Sequence, residues 1–218
     1  MADLMIKPKN TSVIICCAGM GTRLGIATTK ALVDVCGEPL IIRQLRLLDT
    51  YDDIRIVVGF QAERLIEVVN DYRKDIMYVF NYDYEKTGVA DSLRKALVGC
   101  RDYIISLDGD TLFNADDFAS FLSCDYECIP ISTGRSAEPV LATVLDGMVT
   151  RLSKDNGVSQ WPGMSKMHKE RYGGISPHVY EMIATSLPLQ TVIMRTREID
   201  TPEDYERAIE WFKHGCVE

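Results

Sequence analysis

The sequence lacks long apolar runs and has no excess of basic residues. No stretch reaches the roughly 18 consecutive apolar residues of a membrane span, and the opening MADLMIKPKN has no apolar core of the length that a secretory leader needs. The net charge of −8 at pH 7 repels nucleic acid and anionic membranes. We therefore expect a protein that binds neither a nucleic acid nor a membrane.

Signals for disulfide pairing and for zinc are also scarce. The seven cysteines are an odd number, and several lie in apolar stretches, where a thiol acts as a small hydrophobic side chain. Cys124 and Cys128 have the spacing of half a zinc site, but no second pair with ligand spacing follows. We therefore predict neither a disulfide framework nor a zinc centre, and we expect a reducing, cytoplasmic compartment.

The first half of the chain alternates strand-like and helix-like segments. The chain length of 218 residues suits a single domain, and no repeat or linker divides it. Alternation of this kind predicts a mainly parallel sheet with helices on both faces. The predicted strands are 12–17, 54–59, 76–80 and 103–107, and the predicted helices are 39–51, 61–72 and 88–100.

The second half carries antiparallel signals. Asp146-Gly147 separates two apolar stretches, 139–144 and 148–153, and this dipeptide is typical of a hairpin turn. Residues 191–199 alternate like one continuous strand. We therefore predict an α/β fold, a Rossmann-like three-layer sandwich with a mostly parallel mixed sheet and a small β-hairpin extension in the second half.

The end of the sequence predicts a capped helix at 201–214. Thr201 suits the N-cap, Pro202 suits the first helical position, and Asp204 can complete a capping box. Apolar residues then recur at helical spacing, and Gly215 can end the helix.

A glycine-rich loop, AGMGTRLG at 18–25, follows the first predicted strand. Ligands bind at the carboxyl ends of parallel strands, and glycines there let backbone N–H groups approach an anion closely. Thr22 adds a hydroxyl donor, Arg23 can form paired bonds with phosphate oxygens, and Lys30 adds a movable positive charge. The loop therefore has the parts of a polyphosphate site.

Two common phosphate loops do not fit these residues. The dinucleotide fingerprint needs glycine at its sixth position, and the P-loop also needs glycine there, but both alignments place Leu24 at that position. A tight strand-to-helix turn with incidental charges remains the alternative for the loop taken alone.

Taken with other segments, the loop resembles that of the nucleotidyltransferases that join an NTP to a sugar 1-phosphate, phosphocholine or a similar phosphomonoester. That family opens with A-G-x-G-[TS]-R and continues to a P-K pair; here Thr29 replaces the proline and Lys30 stays in register. The other segments that resemble the family are VVGF (57–60), FNYDYEKTGVADSLRKAL (80–97), SLDGDT (106–111) and REIDTPEDYERA (197–208).

The resemblance implies one nucleotidyltransferase domain over 1–218, with a nucleotide-binding half at 11–111, an acceptor-binding half at 112–200 and a C-terminal helix at 201–214. It implies catalytic roles for Arg23 and Lys30. The implied nucleotide-binding residues are Ala18, Gly19, Gly21, Thr22, Asn81, Gly88 and Ser92.

Two acidic positions resemble the family's metal site. Asp110 follows a predicted strand at the sheet edge that carries the loop, and Mg²⁺ prefers carboxylates together with phosphate oxygens. We expect Asp108, two residues earlier, to point elsewhere. The resemblance selects Asp200 as the second ligand, although Glu198 could compete. Without the resemblance, an Asx turn at Asp110 and a helix-dipole role for Asp200 would explain these acids equally well.

The choice of base and acceptor depends on fewer residues. Asn81 offers both a donor and an acceptor, which suits cytosine or uracil, and the segment around it resembles the phosphocholine-type cytidylyltransferases, so we favour CTP. Tyr172 and Gly174 are candidate acceptor contacts. The basic segment 165–171 is either a solvated loop or a lid over the acceptor phosphate.

The implied reaction is direct transfer of NMP to a small phosphomonoester such as phosphocholine, with Mg²⁺ as cofactor and pyrophosphate as product. Sugar-1-phosphate transfer from UTP, dTTP or GTP is an alternative. A non-catalytic nucleotide sensor is a more distant one, and a Rossmann oxidoreductase is disfavoured by the misplaced glycine. Cell-surface polysaccharide or lipid precursor synthesis is the expected setting, and a homo-oligomer is compatible with the sequence.

Overall fold

The computed structural model describes residues 5–26, 28–132, 134 and 136–216. Within them the strands are β1 (Thr11–Cys16), β2 (Ile54–Val58), β3 (Ile76–Phe80), β4 (Tyr103–Asp108), β5 (Thr111–Phe113), β6 (Cys128–Ile131), β7 (Val140–Leu145), β8 (Met148–Ser153), β9 (Ser159–Trp161), β10 (Ser165–His168), β11 (Leu189–Ile193) and β12 (Thr196–Glu198). The helices are α1 (Leu40–Arg46), α2 (Ala62–Tyr72), α3 (Val89–Ala96), α4 (Ala115–Ser123), α5 (Val179–Met182) and α6 (Pro202–Lys213).

One large mixed sheet organises the described residues. Its strand order is β3-β2-β1-β4-β10-β6-β11-β8-β7-β9, and β5 with β12 forms a separate two-stranded sheet. The first four strands are mutually parallel. Of the other strands, β6, β7 and β11 run in the same direction, whereas β8, β9 and β10 run in the opposite one. The predicted α/β sandwich with a mostly parallel sheet is confirmed.

The sheet is covered on both faces because its central strands are apolar on both faces. In β1, Val13 and Ile15 belong to the core cluster with α1, α2 and α4, whereas Ile14 belongs to the cluster with α3 and α5. A third cluster packs Trp211 of α6 against Leu112 and Ile199. This third cluster holds the small β5–β12 sheet beside the large one.

Local signals predicted several elements correctly. Asp146 and Gly147 have φ values of 50° and 74°, as a type I′ turn requires, and they join β7 to β8. Thr201 caps α6 and forms a capping box with Asp204, with Pro202 in the first turn. Helices α1 and α3 end earlier than predicted, at Arg46 and Ala96. None of the described helices combines the length and apolar character needed to cross a membrane.

The prediction of one continuous strand at 191–199 is wrong. The chain leaves the large sheet after Ile193, where β11 pairs with β6 and β8, and β12 then pairs with β5 in the small sheet. Met194 donates its N–H to the Ile131 carbonyl at 2.9 Å, and Arg195 accepts from the Asn114 N–H at 3.0 Å. The alternation of apolar and polar residues continues through the break because β11 and β12 are both half-buried strands.

The basic segment 165–171 is neither a lid nor a solvated loop. Its first four residues form β10, an antiparallel strand between β4 and β6. Lys166 is 1% exposed, and its ammonium group donates to the carbonyls of Leu122 and Cys124. Lys169 and Arg171 pair with Asp102 and Glu127. The positive charges are therefore used within the fold and do not wait for an acceptor.

Candidate active site

A cavity of about 470 Å³ lies at the carboxyl ends of β1 and β4. Its wall combines the glycine-rich loop, the start of α3, the residues after β4 and the residues after β12. Most of the predicted site residues line it together: Ala18, Gly19, Gly21, Arg23, Lys30, Asn81, Gly88, Ser92, Asp110 and Asp200. Thr22 is exposed and is not part of the lining.

Gly21 shapes the loop for Lys30. Its φ is 60°, which costs glycine little and other residues more. A Cβ at this position would lie 2.9 Å from Cγ of Lys30, so a larger residue would push the lysine stem aside. The missing side chain at Gly21 therefore lets Lys30 cross the loop and enter the cavity.

Thr29 takes the backbone conformation that proline would impose. Its φ is −63° and its ψ is 142°, and proline holds φ near −65°. The residue is 1% exposed, and its hydroxyl donates to the Cys17 carbonyl at 3.4 Å. The departure from the family pattern thus leaves the backbone course of the loop intact.

Lys30 joins the two predicted metal-binding carboxylates. Its ammonium group lies 2.8 Å from Oδ2 of Asp110 and also bonds Oδ1 of Asp200. All three side chains are largely buried, with exposed fractions of 18% for Lys30, 22% for Asp110 and 11% for Asp200. Burial lowers the pKa of Lys30, but Asp110 and Asp200 outweigh burial and raise the pKa above its ordinary value. The lysine is therefore charged at neutral pH.

Pairing of β5 with β12 brings Asp110 and Asp200 together. Glu198 faces Thr111 in the register of this pair, and the N–H of Ile199 donates to the Asp110 carbonyl at 2.9 Å. Gly109 allows β4 to turn beside β1, because a Cβ there would collide with Sγ of Cys17. The two acids are 90 positions apart in sequence, and only this tertiary pairing makes them neighbours.

Asp108 also lines the cavity, so the prediction that it points elsewhere is wrong. A Cβ on Gly163 would collide with its Oδ2, which shows how closely the turn before β10 approaches this carboxylate. Burial, together with Asp110 and Glu198, raises the pKa of Asp108 well above its ordinary value. The prediction overlooked that residues two positions apart in a strand lie on the same face, and Asp108, the last residue of β4, lines the cavity together with Asp110.

The carboxylate of Glu198 lines the cavity together with those of Asp108, Asp110 and Asp200. It accepts a hydrogen bond from Nε2 of Gln160 at 3.2 Å. Burial and the neighbouring Asp110 raise the pKa of Glu198 to about 7. Glu198 and Asp200 line the same cavity, so Glu198 stays the alternative to Asp200 as a metal ligand.

The acidic wall fits a divalent cation. Oδ1 of Asp110 is buried and has no hydrogen-bond partner, and a carboxylate oxygen left without a donor is the type of ligand that Mg²⁺ prefers. The described residues contain no preassembled group of three or more His, Cys, Asp or Glu side chains around one point. Lys30 lies between the two aspartates instead. Asp110 and Asp200 could hold a metal once the lysine moves.

Arg23 has acidic partners on both sides. It lies 3.3 Å from Asp200 and 3.0 Å from Glu138, and its side chain is 50% exposed. Since exposed ion pairs are weak, an incoming phosphate can exchange with these carboxylates. Both cations expected to bind phosphate are therefore present in the cavity and are held by acids.

The acceptor side contains residues that sequence reasoning did not assign. Lys154, Trp161 and Tyr180 line the cavity there, together with His178. His178 and Tyr180 stack with ring centroids 5.6 Å apart. No local motif distinguishes these residues, because they come from the turn after β8, the short strand β9 and the start of the short helix α5. The one sequence feature that points to this side of the cavity is Lys154, a basic residue in the turn after the β7–β8 hairpin.

Two acceptor-side assignments do not fit their positions. Tyr172 is 3% exposed, and its hydroxyl shares a hydrogen bond of 2.9 Å with Ser165. A Cβ on Gly174 would collide with the Met182 carbonyl. Neither residue lines the cavity, so Tyr172 is a core residue and Gly174 is a packing glycine.

A sequence-family model described as "MobA-like NTP transferase domain" matches residues 13–163. Among curated proteins, a bifunctional protein GlmU from Campylobacter curvus is 26% identical over 132 residues, which cover 60% of this chain and 30% of the relative. A GlmU from Methanococcus maripaludis is 33% identical over 118 residues, 52% of this chain and 27% of the relative. The chain thus spans less than a third of the length of these relatives.

Solved structures share the fold. The inositol-1-phosphate CTP transferase of T. maritima superimposes with a TM-score of 0.76 at 22% identity and covers 94% of this chain and 97% of that one. The CTP:phosphocholine cytidylyltransferase of Streptococcus pneumoniae gives a TM-score of 0.77 at 21% identity, with 93% and 99% covered. At these identities the likeness concerns architecture, which agrees with the sandwich described above.

Proposed function

Since this chain belongs to the MobA-like NTP transferase domain family, we propose that it transfers the NMP part of an NTP to a small phosphomonoester and releases pyrophosphate, with Mg²⁺ as cofactor. CTP is the favoured nucleotide, and phosphocholine or a related phosphorylated metabolite is the favoured acceptor. One observation carries the proposal: Arg23 and Lys30 of the loop after β1, Asp110 after β4 and Asp200 after β12 converge in one cavity.

The chemistry requires two anions to meet. A phosphate oxygen of the acceptor attacks the α-phosphorus of the NTP, a new P–O bond forms, and the bond to the β-phosphate breaks. No protein nucleophile is needed, so the protein acts by positioning the reactants and by stabilising charge. When bound by Asp110 and Asp200, Mg²⁺ would supply neutralisation of phosphate charge.

The side chains of the cavity have complementary roles in this proposal. Arg23, at the edge of the glycine-rich loop, binds the departing pyrophosphate through paired hydrogen bonds. Lys30 exchanges its carboxylate partners for the α-phosphate region. Lys154 is the cation on the acceptor side, and we assign it to the phosphate of the acceptor.

The acceptor side favours a molecule with a cationic group. Trp161 and Tyr180 offer aromatic faces, and Glu138 offers a carboxylate in the same cavity. Aromatic rings and carboxylates together attract an ammonium head group. Phosphocholine has this combination of a phosphate and a cation. A phosphorylated precursor for a cell-surface polysaccharide or lipid is the setting that we infer.

Sugar-1-phosphate transfer from UTP, dTTP or GTP is the second candidate, because a putative glucose-1-phosphate thymidylyltransferase from Bacillus anthracis shares the fold, with a TM-score of 0.76 at 16% identity. A nucleotide-sensing regulatory protein without catalysis is the third. Release of pyrophosphate separates both enzymes from the sensor, and the nucleotide consumed separates the enzymes from each other.

The first experiment is a melting-temperature panel with CTP, UTP, GTP, ATP and dTTP, each with and without Mg²⁺. A ligand that binds only the folded state adds about 2.7 kcal/mol at a hundredfold excess over Kd. We expect a Mg²⁺-dependent rise with CTP that is lost in Asp110→Asn and kept in Asp116→Asn, an exposed acid of α4. Phosphocholine added to the positive nucleotide should then release pyrophosphate. No rise with any NTP would refute the proposal.

A further inference from the structure

A glutamine is buried in the core of the protein, next to the turn that carries Asp110. Gln44 belongs to α1 and is 1% exposed. Its helix neighbours Ile41 and Leu45 are fully buried in the core cluster that α1 shares with α2 and α4. An amide buried among apolar side chains costs free energy unless it is hydrogen-bonded. The partners of this amide therefore indicate why a glutamine stands here.

The amide nitrogen of Gln44 closes the turn between β4 and β5. Nε2 donates to the carbonyl of Asp108 at 3.0 Å and to the carbonyl of Thr111 at 2.8 Å. One of these carbonyls lies before Asp110 in the chain and the other lies after it. The two bonds hold both ends of the turn against α1, and they hold Asp110 between them.

Backbone bonds fix the same turn to both sheets. The N–H of Gly109 donates to the Cys16 carbonyl at 3.0 Å, which ties the turn to β1. The carbonyl of Asp110 accepts from the Ile199 N–H at 2.9 Å, which ties the turn to the residue after β12. Gln44 adds the connection to a helix, so the backbone around Asp110 is held from three directions.

The amide oxygen of Gln44 is not used in this way. Oε1 is buried and accepts no hydrogen bond from the described residues. A buried acceptor without a donor lowers stability, and an apolar side chain of the same length would avoid that loss. The contribution of glutamine at this position therefore lies in its two N–H donors.

Helix α1 also connects the turn to the loop that carries Lys30. The N–H of Val33 donates to the Lys30 carbonyl at 3.1 Å, and the N–H of Leu40, at the start of α1, donates to the Val33 carbonyl at 2.9 Å. Gln44 lies one helical turn after Leu40. A short series of bonds thus runs from Lys30 along α1 to the turn of Asp110, whose carboxylate lies 2.8 Å from the Lys30 ammonium group.

We propose that Gln44 is a positioning residue for the metal site: by holding the turn 108–111 against α1, it sets the direction of the Asp110 carboxylate. Gln44 does not line the cavity, so it acts through Asp110 and touches neither nucleotide nor acceptor. This role rests on the proposed nucleotidyl transfer, which assigns a metal to Asp110, and deepens it.

Small displacements of Asp110 are enough to matter. Mg²⁺ demands nearly ideal octahedral geometry, and a displacement of about 1 Å at a reacting centre can lower a rate about a hundredfold. Residues that orient metal ligands typically change metal affinity or activity about 10–100-fold when they are replaced. The loss of two hydrogen bonds at Gln44 can therefore impair the site while the fold persists.

Gln44→Met tests this role because methionine has a similar length and no donor. The affinity for Mn²⁺, measured by electron paramagnetic resonance without nucleotide, should fall about tenfold, and kcat should fall about 10–100-fold. The affinity for an NTP without divalent ions should stay near the wild-type value, because Gln44 lies outside the cavity. Gln44→Leu should change all three quantities in the same direction, which keeps the test valid if Gln44→Met does not fold.

Thr191→Val is the matched control. The Thr191 hydroxyl also donates to a backbone carbonyl, that of Ile129 at 2.8 Å, between β11 and β6. Neither residue lines the cavity. The control should lose some stability in urea and keep the wild-type Mn²⁺ affinity and kcat. Equal losses in Thr191→Val and Gln44→Met would show general loosening and would overturn the assignment of Gln44.

Amide hydrogen exchange measures the turn itself, without any ligand. The N–H groups of Gly109 and Ile199 should exchange about tenfold faster in Gln44→Met, as expected when about one hydrogen bond of local stability is lost. Both N–H groups should keep their wild-type rates in Thr191→Val.

The outcomes separate this role from the proposed function. Unchanged Mn²⁺ affinity and unchanged exchange in Gln44→Met would overturn the role of Gln44 and leave nucleotidyl transfer intact. A wild type that releases no pyrophosphate from any NTP would overturn the proposed function. In that case, faster exchange and weaker Mn²⁺ binding in Gln44→Met would still support Gln44 as the residue that positions Asp110.

Discussion

At the scale of single residues, the ammonium group of Lys30 lies between Asp110 and Asp200, the carboxylates that we propose as metal ligands. A lysine and a divalent cation compete for the same oxygens in this arrangement. Binding of a nucleotide would draw Lys30 towards phosphate and would open the acidic site. Affinity for the nucleotide and affinity for the metal should then reinforce each other.

Lys30→Met removes the charge and keeps much of the length of the side chain. We expect this variant to bind Mn²⁺ at least about tenfold more tightly than the wild type when no nucleotide is present, because the competitor is gone. Turnover should nevertheless fall by about two orders of magnitude or more, because a charge on the phosphate is lost. Electron paramagnetic resonance of Mn²⁺ measures the first effect.

Lys154→Met is the control for that experiment, since Lys154 lines the same cavity and does not contact Asp110 or Asp200. It should leave the Mn²⁺ affinity near the wild-type value. Equal Mn²⁺ affinity in the wild type and Lys30→Met would contradict the competition.

Glu198 should make stability depend on pH. Burial and Asp110 raise its pKa from 4.5 to about 7, so the folded state keeps a proton that the unfolded state loses between pH 4.5 and pH 7. Since the folded state binds more protons in this window, the free energy of unfolding falls as the pH rises. The titration of Glu198 accounts for about 1–3 kcal/mol of this fall in the free energy of unfolding.

Glu198→Gln removes this titration. Urea unfolding at pH 5 and pH 7, without divalent ions, should show a smaller difference in unfolding free energy for the variant than for the wild type. Asp108, whose pKa is also raised, keeps part of the slope in both proteins. A slope that is unchanged by the substitution would show that Glu198 does not hold the proton.

At the scale of elements, short segments with exact backbone geometry place the charged groups. The turn from β1 to Lys30 depends on Gly21 in a left-handed conformation and on Thr29 in an extended one. The β5–β12 pair then carries the opposing carboxylates. The site is therefore sensitive to backbone changes in segments of only a few residues.

Thr29→Pro should stabilise the loop. The native φ of −63° already suits proline, and the Thr29 N–H has no backbone acceptor in the described part of the chain. Because proline restricts the unfolded chain, we expect a gain of about 0.4–1 kcal/mol in unfolding free energy, measured in urea, with turnover retained.

Cys36→Pro provides the contrast, because the φ of Cys36 is 52° and proline cannot adopt it. This variant should lose stability. If Thr29→Pro were as destabilising as Cys36→Pro, the conformation assigned to Thr29 would be incorrect.

At the scale of the whole molecule, β10 joins the two halves of the chain. It lies between β4 of the nucleotide half and β6 of the acceptor half, and its Lys166 bonds carbonyls at the end of α4 and just after it. The large sheet therefore continues from one half into the other. We therefore predict that 1–218 unfolds as one cooperative domain.

The two tryptophans allow this to be measured. Trp161 packs in the core cluster on the α3 side of the sheet, and Trp211 packs in the cluster around α6. Urea transitions followed by fluorescence in Trp161→Phe and in Trp211→Phe should each coincide with the transition followed by circular dichroism. Two separated transitions in either variant would show that the halves are independent domains.

Predictions from local patterns were accurate where the pattern itself supplies the physical cause. The Asp146-Gly147 turn and the cap of α6 need only their own dihedral angles and hydrogen bonds. The assignments of 191–199 and of 165–171 depended on neighbours that are distant in sequence. A half-buried strand alternates whichever sheet it joins, and a basic segment has the same composition in solvent as between two strands.

The amino-acid sequence is enough to establish the α/β alternation, the glycine-rich loop with its two cations, and the acidic residues within 106–111 and 197–200. These features follow from periodicity, backbone freedom and charge, which are local properties. The tertiary structure was needed to show that Lys30 bridges Asp110 and Asp200 and that Asp108 and Glu198 line the same cavity. Those relations depend on strand pairing and burial, which no short segment contains.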